Sequence, residues 1–313
     1  DDAFKARRSD ALLALFTRLQ PDMVLTEMFP FGRRQLRFEL LPLLDAAKQA
    51  GARITSSVRD ILVSAPKPER LEEMIGLIET YYDAVLVHSD PRLIPFDRTF
   101  PPARRFADRL RYTGYVVEGG TPDRGPNAPG HGEVLVSAGG GAVSEPLLEA
   151  ALAAKPDTAL ADRRWRLLVG HNLPQPRFER LQAMADAGSV VERARPDFTT
   201  LLANAELSIS QGGYNTVMET LKFGRRAVVA PYAGGLETEQ TLRAGLLAER
   251  GLIHIVDEAS LSAATLAAAV ARAWAAAPID AARLFNLDGL NTTVAIVRDL
   301  LAGQKPKDFD IAT

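Results

Sequence analysis

Three stretches of the chain set glycines between a short apolar run and a helical pattern. At such junctions backbone can approach a phosphate closely, and a helix start adds free N–H groups and positive partial charge. The first is residues 134–142, where Val-Leu-Val-Ser-Ala runs into Gly139, Gly140 and Gly141. Its spacing is not G-x-G-x-x-G and no P-loop lysine follows, so a plain tight turn is the competing reading. The second is residues 208–216, Ser-Ile-Ser-Gln-Gly-Gly-Tyr-Asn-Thr, whose following helix carries Glu219. Gly212 and Gly213 again offer amides at a helix start. Glu219, about one and a half turns on, is placed to reach sugar hydroxyls, as acidic residues do in dinucleotide sites; a solvated helix glutamate is the alternative. The third is residues 228–240, a strand, a Pro/Gly loop and a helix whose first turn holds Glu239 and Gln240. Open α/β sheets bind ligands at the carboxyl ends of their strands, and all three motifs occupy such ends.

The N-terminal half places Glu27, Arg59, Asp60, His88 and Asp90 at strand ends. His88 could deprotonate a hydroxyl, against the alternative of a buried structural histidine. Arg33, Arg34 and Arg37 form a basic cluster suited to a phosphate or carboxylate, or else a solvated helix start.

The elements that must position these residues alternate as βαβ units, which implies parallel sheets. In the first half the pattern predicts helices over 8–20, 36–50 and 68–82 and strands over 23–26, 53–57 and 84–88, with a proline-rich loop over 90–102. Residues 117–132 contain five Gly and three Pro and read as a linker. Beyond it come strands at 133–137, 165–169, 189–191, 207–210, 227–230 and 252–255 with helices between, a complete doubly wound domain. The division is 1–116, linker 117–132, 133–289, and a final helix and tail over 290–313.

The chain has 313 residues, enough for two domains, with 37 basic against 39 acidic side chains. A net charge of −2 gives no global positive field for nucleic acid. Cysteine is absent, which excludes disulfides, thiolate metal sites and a cysteine nucleophile. No apolar run reaches the roughly 18–20 residues of a membrane span, and the opening Asp-Asp-Ala is not a cleavable export signal, so a cytoplasmic protein is expected. No His/Glu spacing resembles a zinc site, and Asp308-Phe309-Asp310 falls in a polar tail unsuited to a metal–nucleotide cleft.

The run 210–216 with Glu219, then Pro231 with Glu239-Gln240, then Ala248-Glu249-Arg250-Gly251-Leu252, resembles the C-terminal donor domain of glycosyltransferase family 28. A group of predicted bacterial glycosyltransferases is closer still, sharing residues 29–34 (Phe-Pro-Phe-Gly-Arg-Arg), 57–62 (Ser-Val-Arg-Asp-Ile-Leu) and 112–116 (Tyr-Thr-Gly-Tyr-Val) in the same order. The resemblance implies a GT-B fold, two Rossmann-like domains facing a cleft, and a nucleoside-diphosphate sugar donor, most often a UDP-sugar. Gly212, Gly213, Asn215 and Thr216 would hold the diphosphate, with Gly139, Gly140 and Gly141 near it or on the acceptor side. Glu219 would bind the ribose, Glu239 and Gln240 the donor sugar, and Arg195 the base.

Members of that family begin with a strand and a Gly/His loop that supplies the general base. This chain starts at a helix, so a shortened N-terminal sheet is expected, with the main base outside the chain. His88, Asp60 and Glu27 remain as catalytic candidates, and Arg33, Arg34 and Arg59 as acceptor-binding ones. No resident cofactor or metal is implied. The expected partners are the nucleotide-sugar donor and an acceptor, not nucleic acid, with peripheral membrane association and oligomeric state left open. A nucleotide-sugar epimerase of the same fold and a non-catalytic nucleotide-sugar binding protein are the alternatives.

Overall fold

The computed structural model describes residues 1–62, 67–117, 120, 122–138, 145–232, 234 and 239–303. These residues form two compact units: Asp1–Val116 together with the segment from Asp288, and Val117–Leu287.

The first unit opens with α1 (Asp2–Leu19), capped by the Asp1 carboxylate accepting from Ala3 N–H. Left-handed Gln20 and then Pro21 end it, since proline cannot continue a helix. Next come β1 (Met23–Glu27), a 3-10 turn over Arg34–Leu36, α2 (Arg37–Gln49), β2 (Arg53–Arg59) and α3 (Pro68–Tyr81). Pro68 suits the first helical position, where its missing N–H is no loss. The unit continues with β3 (Ala84–His88), the short α4 (Phe96–Thr99), a 3-10 run over Pro101–Arg109 and β4 (Leu110–Tyr112).

All four strands are parallel, in the order β1-β2-β3-β4. The stretch read as a proline-rich loop instead holds α4 and part of the 3-10 run. Its phenylalanines explain the order: Phe31 meets Phe96 and Phe100 edge to face at 5.6 and 5.7 Å, and Phe106 joins them. Phe29 O gathers the hydroxyls of Thr26, Ser56 and Tyr82 at 2.8–3.0 Å, pinning the turn after β1.

The second unit contains β5 (Val134–Ser137), α5 (Glu145–Ala154), β6 (Trp165–Val169), α6 (Gln175–Met184), β7 (Ser189–Arg193), α7 (Phe198–Asn204), β8 (Leu207–Ser210), α8 (Tyr214–Lys222), β9 (Arg226–Val229), α9 (Glu239–Glu249), β10 (His254–Ile255) and α10 (Ala263–Ala275). Its six parallel strands lie in the order β10-β9-β8-β5-β6-β7. Strands buried on both faces read as apolar runs, and Val134, Val136, Leu167, Ile209 and Val228 fill one side of this sheet against α5 and α10. A reciprocal capping box between Ser262 and Thr265 fixes the start of α10.

Two boundaries differ from the sequence reading. Residues 117–132 are not a free linker but part of the second unit: the buried Asn204 amide donates to Asp123 O at 2.8 Å and to Thr200 O at 2.8 Å. Composition reported the Gly and Pro content of this segment but not the side chain that holds it. The last helix, α11 (Gly289–Leu301), belongs to the first unit rather than standing apart. Ile296 and Leu300 pack on Ala84 and Leu86 of β3. Gly289 lets its helix start press on Tyr115, whose backbone carbonyl carbon would lie 2.6 Å from an added Cβ.

Candidate functional site

In the second unit the chain winds outward from β5 through β6 to β7, then returns to β8 and winds the other way through β9 to β10. The reversal leaves a crevice between β5 and β8 at their carboxyl ends, where such sheets hold ligands. Ser137 and Ser210 end these two strands as register partners, both buried, and Ser137 Oγ has no hydrogen-bond partner among the described residues. Gly139, Gly140 and Gly141, which follow β5, lie outside the described residues.

The two glycines after β8 do different jobs. Gly212 has φ +88°, and a Cβ there would lie 2.8 Å from Val229 Cγ1, so it lets the turn press on β9. Gly213 caps α8 with φ −56° and ψ 143°, is exposed, and has open space where a side chain would go. Without a capping side chain, it leaves the first-turn amides of α8 approachable from outside. Asn215 is exposed beside it and Thr216 half-buried. Glu219 is buried, with 6% of its surface accessible, which removes the solvated-face alternative.

The start of α9 comes to the same place. Gln240 Oε1 accepts from Tyr232 N–H at 3.2 Å and would lie 3.7 Å from a Cβ on Gly212. Glu239 accepts from Arg243 Nη2 at 2.5 Å, and the Arg243 guanidinium stands 5.1 Å over the Tyr214 ring. Arg243 is 1% accessible and ties the first turn of α9 to the first residue of α8. Sequence reasoning passed over it, although the i,i+4 spacing from Glu239 was a signal.

Arg195 stands elsewhere. It follows edge strand β7, three strand places or about 14 Å from β8. It forms a bidentate pair with Asp197 at 2.7 and 2.6 Å, and that hydrogen-bonded pairing holds the Asp197 carboxyl below its usual range.

In the first unit, β2 and β3 end as a register pair, Arg59 and His88. His88 Nε2 lies 2.7 Å from Ser57 Oγ and Nδ1 lies 2.9 Å from Thr113 Oγ1. Thr113 Oγ1 donates to Gly114 O at 2.7 Å, which spends its hydrogen. With its hydrogen so placed, Thr113 Oγ1 accepts from Nδ1–H, which leaves Nε2 to accept from the Ser57 hydroxyl. Burial, and secondarily the charge of Arg59, push the imidazole pKa down and so favour its neutral form. Ser57 and Thr113 were within the quoted motifs, but nothing in sequence spacing joins three adjacent strand ends.

The other candidates are engaged within the unit. Glu27 pairs with Arg33 at 2.9 Å. Arg34 and Arg37 both reach Glu73 of α3, so the apparent basic cluster is compensated. Asp60 is fully buried, and Asp90 is held by Arg92 Nη2 at 2.6 Å. Among the described residues, no group of three or more His, Asp or Glu is placed to hold a metal, and no helix is long and apolar enough to cross a membrane. The Asp308–Asp310 motif lies outside the described residues.

The His88 geometry predicts a pH effect on stability. Above the ordinary histidine pKa of about 6.5 both folded and unfolded imidazoles are neutral. As pH falls below that value the unfolded chain takes up the proton first, so stability declines until pH has passed the lower folded pKa. Chemical denaturation between pH 7.5 and 5 should show a steeper loss for wild type than for His88→Gln. Part of the slope will persist, because burial and Arg272 depress His254 in the same direction. Equal slopes would mean that His88 titrates like a solvated histidine.

A doubly wound unit with a glycine turn and polar helix starts at its switch point has the architecture of one Rossmann-like half of the GT-B fold. The glycotransferase of kitacinnamycin superposes on 96% of this chain and 80% of its own, with TM-score 0.64 and 19% identity. A putative UDP-N-acetylglucosamine 2-epimerase from Listeria monocytogenes covers 98% of this chain and 82% of its own, with TM-score 0.61 and 14% identity. These likenesses establish the GT-B fold.

Residues 134–280 match the glycosyltransferase family 28 C-terminal domain. A relative from Sinorhizobium fredii, UDP-N-acetylglucosamine–N-acetylmuramyl-(pentapeptide) pyrophosphoryl-undecaprenol N-acetylglucosamine transferase, is 32% identical over 108 residues. That match spans 34% of this chain and 29% of the relative's length.

Proposed function

We propose that this protein transfers a glycosyl group from a nucleoside-diphosphate sugar, by preference a UDP-sugar, to an acceptor hydroxyl. The observation that carries the reading is the approach of Gln240 to Gly212 beside the open start of α8 at Gly213, with Glu219 buried on the same helix, within the span matched to the family 28 donor domain. The first-turn amides of α8, with Asn215 and Thr216, bind the diphosphate. The helix dipole and those amides stabilise the charge that grows on it as the anomeric carbon–oxygen bond breaks. Glu219 accepts from the ribose hydroxyls. Gln240 keeps its Nε2–H donors for the hexose while its Oε1 is held by Tyr232 N–H. Glu239, in the same first turn and held by Arg243, contacts the same sugar.

The acceptor oxygen bonds to the anomeric carbon and its proton leaves to a base. Within this chain His88 Nε2 is the candidate best suited to receive it, because Glu27 is paired with Arg33 and Asp60 is buried. Arg59, beside His88, is the candidate for an anionic group of the acceptor. The nucleotide sugar is substrate rather than cofactor, and the proposed setting is the cytoplasm. An epimerase reading is favoured only by the Listeria monocytogenes fold neighbour.

A labelled UDP-sugar separates the readings: label in an acceptor means transfer, an altered free sugar nucleotide means epimerisation, and neither means binding alone. A crossed pair of variants tests the roles. Glu219→Ala should cost about 1.5–3 kcal/mol in affinity for UDP and for UDP-sugar alike, the size of a hydrogen bond to a charged group. Gln240→Ala should weaken the sugar nucleotide and spare UDP. Equal losses for both ligands in both variants would overturn the division into ribose and hexose contacts.

A further inference from the structure

At the opposite, amino-terminal end of the second sheet, Arg226 opens β9 and His254 opens β10. Arg225, Arg226 and His254 line a pocket there, together with Gly224, Gly251 and Pro278. Arg124 joins them from the segment before β5, standing 5.6 Å over the Phe223 ring.

This end of the sheet differs electrostatically from much of the unit. Arg163, Arg166, Arg177 and Arg180 each pair with a carboxylate, as Arg195 does. Among the described residues, Arg124, Arg225 and Arg226 pair with none. Arg225 instead donates from Nε to Phe223 O at 3.0 Å and from Nη1 to Ala205 O at 3.2 Å. Arg226 donates from Nε to Ala276 O at 3.1 Å and lies 4.7 Å over the Trp274 ring. These bonds fix both guanidinium planes without neutralising them, and leave Arg225 Nη2 and both Nη of Arg226 as donors. Burial and the charges of Arg124 and Arg226 push the Arg225 pKa down, the signature of cations crowded without an anion. Arg272 adds a further positive charge beside His254.

Crowding like charges in a half-buried pocket is unfavourable unless a counter-charge arrives. Fixed guanidinium forks match the oxygens of phosphate in both spacing and planarity. The geometry points to a second anion site at the pocket lined by Arg225 and Arg226, with Arg124 over the neighbouring Phe223, taking a small free phosphate or diphosphate anion from solution. Strand β9, about 13 Å long, separates it from the glycine turn at the other end of the sheet. It therefore does not depend on the donor-site reading.

Inorganic phosphate and pyrophosphate, titrated into the full chain at constant ionic strength with UDP present, provide the test. The expected result is saturable binding that moves the arginine Nε–H resonances of Arg225 and Arg226. Arg124→Ser and Arg226→Gln should each weaken it at least tenfold, while Gly213→Val leaves it unchanged. Arg124 makes no hydrogen bond to backbone, so its variant tests the charge even where Arg226→Gln disturbs folding. Unchanged affinity in Arg124→Ser, or no saturation by either anion, overturns the proposal. So does binding to phosphatidylglycerol vesicles that depends on these arginines while free phosphate fails to saturate. A loss of binding in Gly213→Val alone would assign the anion to the donor site.

Discussion

A Gly213→Val variant is expected to melt within a few degrees of the wild type and to bind UDP at least about a hundredfold more weakly, a loss of about 2.8 kcal/mol. The folding half rests on geometry. Gly213 has φ −56° and ψ 143°, a conformation open to any L-residue, and no atom lies within 4 Å of an added Cβ. Valine caps a helix worse than glycine, which sets the folding cost at about 1 kcal/mol or less. The binding half rests on what that open space is for. An isopropyl group there covers the start of α8 and keeps a diphosphate from its first-turn amides. Hydrogen bonds to a charged ligand contribute about 1.5–3 kcal/mol each, so the loss of two accounts for the expected factor. Gly212→Ala should behave the opposite way, because φ +88° and a contact 2.8 Å from Val229 Cγ1 make it a folding lesion first. The comparison is made by calorimetric titration with UDP and by thermal melting of the same samples. Wild-type UDP affinity in Gly213→Val would show that the diphosphate is held elsewhere.

What separates these neighbouring glycines was not legible in the sequence, which shows only that two occur together. The alternation of strands and helices was legible, because parallel strands buried on both faces write themselves as apolar runs. Trp165–Val169 and Leu207–Ser210 have the bounds that the pattern predicts. That the motifs after β8 and β9 reach one sheet edge was legible too, since every strand-to-helix junction of a parallel sheet lies at its carboxyl end. Tertiary pairing was not. Arg33, Arg34 and Arg37 read as a basic cluster in part because the carboxylate partner of two of them is non-local in sequence: Glu73 is more than thirty positions from Arg34 and Arg37. Residues 117–132 read as a linker because Asn204, more than seventy positions later, supplies the bond that holds them. The imidazole of His88 was named as a candidate base, but its tautomer depends on Thr113, which reaches it across a strand boundary.

Arg243 is the residue whose weight the sequence hid most completely, and an Arg243→Met variant is expected to lose about 3 kcal/mol of stability in the second unit together with donor affinity. Methionine keeps most of the volume and the apolar stem, so the core is not opened. The charge is what goes. Glu239 then sits 16% accessible without the guanidinium that now donates to it at 2.5 Å. Breaking one member of a buried ion pair costs about 3–5 kcal/mol, because the remaining charge stays desolvated. The lower end applies here, since Glu239 is partly accessible and lies in the first turn of α9, where the helix dipole favours an anion. The stacking of Arg243 on Tyr214 is lost as well, which loosens α9 from the start of α8. Arg243→Lys should recover only part of the loss, because an ammonium cannot lie flat on the ring while reaching the carboxylate. The double variant Glu239→Gln/Arg243→Met should be more stable than Arg243→Met alone, because no desolvated charge remains. Urea denaturation of the four proteins, with UDP titrations beside it, decides the matter. If Arg243→Met melts like wild type, or if the double variant is no more stable than it, the pair is not what ties these two helices together.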